Sequence, residues 1–150
     1  MKRAYAAVVA AALAAAAVPI VAHAQEQTDP DAKAEFVGAI KVGKKKATLK
    51  VTYSCNAGQA LWVSAKQSAL GKKDRRLRKE GSSKAASAWW QSHRNTFVCD
   101  TQPHTARFSI DKVEKGSKGK LKDGTAWVQF CVTNGDDLVL SGSHWVRVRA

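Results

Sequence analysis

The sequence predicts an all-β domain, a Greek-key β-sandwich of six or seven short strands. Three observations carry this expectation. Apolar and polar residues alternate along Ala47–Cys55 (ATLKVTYSC), Thr105–Val113 (TARFSIDKV) and Thr125–Thr133 (TAWVQFCVT), the period of a strand with one face in a core and one in water. Turn chemistry recurs between such runs: Gly43-Lys44-Lys45-Lys46, Asn56-Ala57-Gly58 and Asn134-Gly135, the last being the strongest hairpin signal in the chain. No long amphipathic helix, internal repeat or coiled-coil spacing interrupts the pattern.

The chain opens with Lys2 and Arg3, then an alanine-rich apolar run, then Ala22-His23-Ala24. A basic start, a short apolar stretch and an A-x-A ending are the parts of a secretory signal peptide. The run approaches the length of a membrane span, but Pro19 and the small-x-small site favour cleavage after Ala24 over a retained anchor. Residues 1–24 are therefore read as the signal and 25–35 as a polar leader carrying Pro30. The single β-sandwich domain is expected over 36–150, secreted from the cell.

Within that domain, Phe36–Val42 alternates weakly and forms the first expected strand. Ala47–Cys55 is the second, with Leu49, Val51, Tyr53 and Cys55 on its core face. Ala60–Gln67 is the third, with Leu61, Val63 and Ala65 inward. Gly71–Asn95 then breaks the β pattern. Its alanines and serines between Ser82 and Ser92 suit a short helix capped by Ser82 or Ser83; otherwise it is a long surface loop. In Thr105–Val113 the inward residues are Ala106, Phe108 and Ile110. In the next strand they are Ala126, Val128, Phe130 and Val132, so Trp127, Gln129 and Cys131 face out. Leu138–Leu140 continues the pairing, and His144–Arg149 ends the chain as a strand.

Strand phase also orders the three cysteines. Export favours a disulfide, and one cysteine must be left over. Cys55 lies on a core face and Cys131 on an outer one, while Cys99 sits in a polar segment that adapts more easily. The expected bridge is Cys55–Cys99, closing a loop of about 45 residues worth roughly 4 kcal/mol in unfolded-chain entropy. Cys131 would remain a thiol outside the bridge, buried and inert.

The ending Thr52 to Cys55, the run Leu61-Trp62-Val63-Ser64, Cys99-Asp100 with His104 close behind, the strand Thr105–Ile110 and Gly124-Thr125-Ala126 together resemble a group of small secreted actinobacterial proteins of unknown function. The resemblance covers roughly Ala47–Val148. It implies an immunoglobulin-like sandwich and a cysteine pair at Cys55 and Cys99, and it brings no activity. This chain departs from the group in its third cysteine and in the basic insertion at Gly71–Asn95.

Composition narrows the function. The formal net charge is +13, and +11 once Lys2 and Arg3 leave with the signal. Such a protein is drawn to anionic partners: a cell-wall polymer, a membrane surface or nucleic acid, without sequence preference. Lys72, Lys73, Arg75, Arg76, Arg78, Lys79, Lys84 and Arg94 face only Asp74 and Glu80 in the insertion, a local excess of six. These eight are the anion-binding candidates, and Trp89 and Trp90 are the candidates for stacking on bases or sugars. The run Arg75–Lys79 also suits a basic-specific protease.

No metal site is expected, since His93, His104 and His144 fall in no ligand spacing and there is no C-x-x-C. No cofactor is implied. A G-x-S-x-G nucleophile turn is absent, and Asp136-Asp137 reads as hairpin chemistry rather than an acid/base pair. The expectation is a non-enzymatic protein that adheres through residues 71–95. The alternatives are a protein-binding module such as a protease inhibitor, and a secreted hydrolase whose groups assemble only in space.

Overall fold

The computed structural model describes residues 33–79 and 81–150; the expected signal peptide and all but the last residues of the leader lie outside them. Among the described residues seven strands form: β1 (Lys33–Val42), β2 (Lys46–Ser54), β3 (Ala60–Gln67), β4 (Ala88–Arg94), β5 (His104–Asp111), β6 (Gly124–Asn134) and β7 (Asp137–Arg149). β1 thus begins at Lys33, inside the stretch read as leader.

The strands close into one barrel in the order β1-β2-β5-β4-β3-β6-β7, so the expected immunoglobulin-like sandwich is corrected. The long antiparallel ladders are β2 with β1 and β5, β3 with β4 and β6, and β6 with β7; of these, alternation and the Asn134-Gly135 turn had pointed only to the last. What joins them into a barrel is two narrow seams.

At the first seam β1 gains a second partner while keeping β2. Its register against β2 shifts between Val37 and Lys41, where Gly38 takes φ +76°. A bulge of this kind bends a strand and increases its twist. Beyond it, Ile40 and Lys41 pair in parallel with Val148 and Arg149 of β7. Gly142 lets β1 lie close, since a Cβ there would sit 2.6 Å from that of Ala34.

At the second seam Gln91 and Asp111 are the aligned backbone pair between β4 and β5. Serine hydroxyls complete it. Ser92 Oγ accepts from the Asp111 N–H at 2.9 Å; Ser117 Oγ accepts from the Gln91 N–H at 3.1 Å and donates to the Asp111 carbonyl at 2.9 Å. Polar backbone groups that no strand reaches are thereby paired, which burial requires.

The barrel is filled from both halves. β2 sends in Ala47, Leu49, Val51 and Tyr53, all at most 3% exposed. Tyr53, Phe108 and Phe130 meet with centroids 5.1 to 5.7 Å apart, Phe108 edge-on to both of the others. The Cys55–Cys99 bridge forms as expected, its Cα atoms 4.9 Å apart. The Thr101 N–H reinforces it by donating to the Cys55 carbonyl at 2.8 Å. Gly58 is needed beside it: a Cβ there would meet Val132 Cγ1 at 2.5 Å and Cys99 Sγ at 3.0 Å.

β7 is one strand of 13 residues, where two pieces were expected. Ser141-Gly142-Ser143-His144 carries no apolar alternation, yet its backbone pairs with β6 throughout. The hairpin joining them turns on Gly135 at φ +61°, with Asn134 opposite Asp137, as Asn-Gly foretold.

Candidate functional site

The insertion forms neither the expected short α-helix nor a long irregular loop. Two 3-10 turns, Arg75–Arg78 and Ser82–Lys84, lead into β4, which takes up the last five residues of the expected helix. The helix reading fails because residues 88–94 pair as a strand with β3, with Ala88, Trp90 and Ser92 on the inner face and Trp89, Gln91 and His93 on the outer one, although Gln91 is itself covered.

The insertion's roots are fastened to the barrel. Gln67 Nε2 donates to the Lys122 carbonyl at 2.7 Å and its Oε1 accepts from the Lys122 N–H at 3.0 Å, copying a backbone pair. The Ser87 N–H donates to the Gln67 carbonyl and the Thr125 N–H to that of Gly71. Asp74 caps the first turn, accepting from the Arg76 N–H at 3.0 Å and pairing with the Arg76 guanidinium at 2.7 Å. That guanidinium holds the Asp74 carboxyl below its ordinary range.

A second apolar cluster lies outside the barrel. Leu77, fully buried, packs with Ala86 and Trp127, and Ala85, Trp89 and Trp145 join them. The rings of Trp127 and Trp145 meet edge to face at 5.1 Å, and the Arg78 guanidinium lies over Trp127 at 5.4 Å. Leu77 therefore holds the basic segment against the outer face of the sheet. Lys72, Lys73, Arg75, Arg76, Arg78, Lys79 and Lys84 all remain exposed. Lys72, Lys73, Arg75 and Arg76 also border a depression of about 520 Å³ with Ser68 and Leu70.

Two candidates separate from this group. Arg94 shares the inner phase of β4 and turns to Ser109 on β5, donating to its hydroxyl and to its carbonyl, the latter at 3.3 Å. Trp90 is a core residue, 1% exposed, with its Nε1 donating to the Gly119 carbonyl at 3.1 Å. Trp89, its neighbour, points outward with Lys66 Nζ 5.4 Å from its ring centre. Cys131 is half-buried on the outer face, not buried as expected, with Sγ 3.8 Å from Ser141 Oγ.

Sequence reasoning missed what the register assembles around Trp89. Across β4, β3, β6 and β7, Trp89, Lys66, Trp127 and Trp145 lie in one row. The next row is Gln91, Ser64, Gln129 and Ser143, and the third is His93, Trp62, Cys131 and Ser141. The insertion covers the first row. Beside it a groove of about 370 Å³ stays open, lined by Trp62, Lys66, Gly81, Trp89, Gln91, His93 and Gln129. Outward tryptophans in ALWVSAKQ and GTAWVQF were the available signal, since water is an unusual neighbour for the largest apolar side chain.

Polar contacts fix this groove. Trp62 Nε1 donates to Gln91 Oε1 at 3.1 Å, and Gln91 Nε2 donates to the Lys115 carbonyl at 2.6 Å. His93 is held by the contact of its Nδ1 with the Glu114 carboxylate, which also accepts from the His93 N–H at 3.1 Å. Among the described residues no group of three or more His, Cys, Asp or Glu side chains comes together to hold a metal ion. His104 opens β5 and pairs with Asp100 at 2.6 Å, far along the chain from the groove.

No protein-family model and no curated protein matches the sequence significantly. Among solved structures the chain is similar to the C-terminal domain of wzt, at 10% identity and a TM-score of 0.36, over 85% of this chain and 84% of that one. A likeness this slight carries no argument about the fold or its use.

Proposed function

We propose that the protein is an exported, non-enzymatic binding protein that adheres to an anionic polymer through the basic segment Lys72–Lys84. The observation that carries this reading is the display of seven exposed cations on a segment anchored by the buried Leu77. A free loop would lose much conformational entropy on gripping a ligand; a segment already held by packing and by Asp74 loses less. Arg76 shares its charge with Asp74, so the working cations are chiefly Lys72, Lys73, Arg75, Arg78, Lys79 and Lys84. Attraction of this kind is non-specific and screened by salt.

The test compares the wild type with Arg75→Gln/Arg76→Gln/Arg78→Gln/Lys79→Gln on purified wall teichoic acid and on single-stranded DNA, across salt concentrations. The expected result is weaker binding to both, with the logarithmic salt slope on DNA reduced by about 0.7 for each phosphate no longer neutralised. Unchanged affinity and slope on both polymers would refute the proposal.

A further inference from the structure

We infer that the outer face of β4, β3 and β6 carries a second binding site, separate from the cations, that takes the sugar rings of a glycan. Trp62 and Lys66 are four residues apart on β3, roughly 13 Å along a strand, and Trp89 stands opposite Lys66. The two tryptophans thus bracket a trough longer than one sugar ring and suited to a short linked chain. Its floor between them is the neutral row of Gln91, Ser64 and Gln129.

Three features fit a sugar. The C–H face of a pyranose is apolar and slightly positive, the complement of an indole face. Its hydroxyls each donate and accept, and primary amides do the same. Trp62 is also pre-oriented: its ring is tied through Gln91 to the Lys115 carbonyl, although it is no part of the barrel core. Fixing a half-exposed ring in this way lowers the entropy lost on binding.

The floor carries an independent sign. Among the described residues, five buried side-chain polar atoms have no hydrogen-bond partner, and four belong to this outer face: Ser64 Oγ, Gln129 Oε1, Trp89 Nε1 and Trp127 Nε1. Buried polar groups are ordinarily paired, and clusters of exceptions ask for a cause. Gln129 and Trp89 line the groove, and a half-buried glutamine presents its amide by rotating its own side chain. A ligand hydroxyl in the groove would meet the Gln129 amide once that side chain rotates, while Ser64 and Trp127 do not line it. Exposed ring faces beside amides suit a sugar better than the clustered cations of the basic rim do, although Lys66 and His93 also line the groove.

The experiment applies neutral and acidic oligosaccharides on a glycan array to the full exported protein in 0.5 M NaCl, where long-range attraction is screened. Hits are followed by tryptophan fluorescence titration. Selective binding of a glycan that falls at least tenfold in both Trp62→Ala and Gln129→Leu supports the site. Trp89→Phe, which keeps an aromatic face but removes the Nε1 donor, is expected to weaken binding less than Trp62→Ala does. Near-ultraviolet circular dichroism and an intact Cys55–Cys99 bridge show that each variant is folded. No array signal above the Trp62→Ala background, or equal binding by all variants, would each overturn the inference. Loss of polymer adhesion in the glutamine quadruple variant, with glycan binding intact, would separate the two sites.

Discussion

Leu77 is where the basic segment is held or lost, and Leu77→Ala shows how much that anchor contributes. Its side chain is fully buried against Ala86 and Trp127, outside the barrel. Removing it should leave the barrel intact and raise the population of molecules in which residues 72–87 have lifted off. A fully buried leucine contributes about 1.5–3 kcal/mol by transfer alone. If about 2–3 kcal/mol of that reaches the local opening equilibrium, the open fraction rises roughly 30- to 150-fold, at about 1.4 kcal/mol per tenfold.

Trypsin reads this directly. Cleavage after Arg75, Arg76, Arg78 and Lys79 requires opening, and its rate tracks the open population when reclosing is faster than cutting. Limited digestion followed by mass spectrometry gives the rate at each site. Cuts in the exposed Lys44–Lys46 turn between β1 and β2 report on the rest of the molecule. The expected result is a 30- to 150-fold rise confined to the insertion, with Leu77→Met, close in volume, within about tenfold of wild type. A rise below about fivefold, or an equal rise at Lys44–Lys46, would refute the idea that Leu77 pins a separately opening segment.

Two further outcomes follow from the frame around the site. The Cys55→Ser/Cys99→Ser variant should lose roughly 2–4 kcal/mol in urea unfolding, because the bridge spans a sequence separation of 44; a loss under about 1 kcal/mol would mean the unfolded chain gains little freedom from its removal. The Asp100 carboxyl is held below its ordinary range, chiefly by the His104 side-chain hydrogen bond and then by the Gln102 N–H. A lowered native value means its contribution is complete above the usual carboxylate value of about 4 and is lost as pH falls through the native one. Asp100→Asn should therefore flatten the acid limb of the thermal midpoint measured against pH, and an unaltered limb would count against the His104 contact.

What could be read from sequence was whatever alternation alone specifies. β2, β5 and β6 declared their inner faces residue by residue, and their phases selected the Cys55–Cys99 pair. The barrel was not legible because its closure depends on few pairings of distant residues. Ile40 and Lys41 with Val148 and Arg149, and Gln91 with Asp111, leave no periodic trace. β4 was obscured for a local reason: its inner positions include Ser92 and its outer ones include Trp89, which inverts the usual contrast. β7 was split in two by the polar run Ser141–His144, where backbone pairing and not apolar content maintains the strand. The groove was hidden because it draws Trp62, Trp89 and Gln129 from three strands that only register brings together.

The outer face also explains why the insertion and the groove belong together. Four strands present Trp62, Trp89, Trp127 and Trp145 outward, more apolar ring than a bare sheet surface exposes to water without association. The insertion answers half of this by laying Leu77 and Ala86 over Trp127, Trp145 and one side of Trp89. Gly81 within it forms a wall of the groove, which leaves Trp62 and Gln129 open. One anchor thus covers the part of the face that would aggregate, lifts seven cations into solvent and sets the edge of the trough. A polymer carrying both charge and sugar rings would then engage both surfaces, with only the Gln129 side chain turning to meet it.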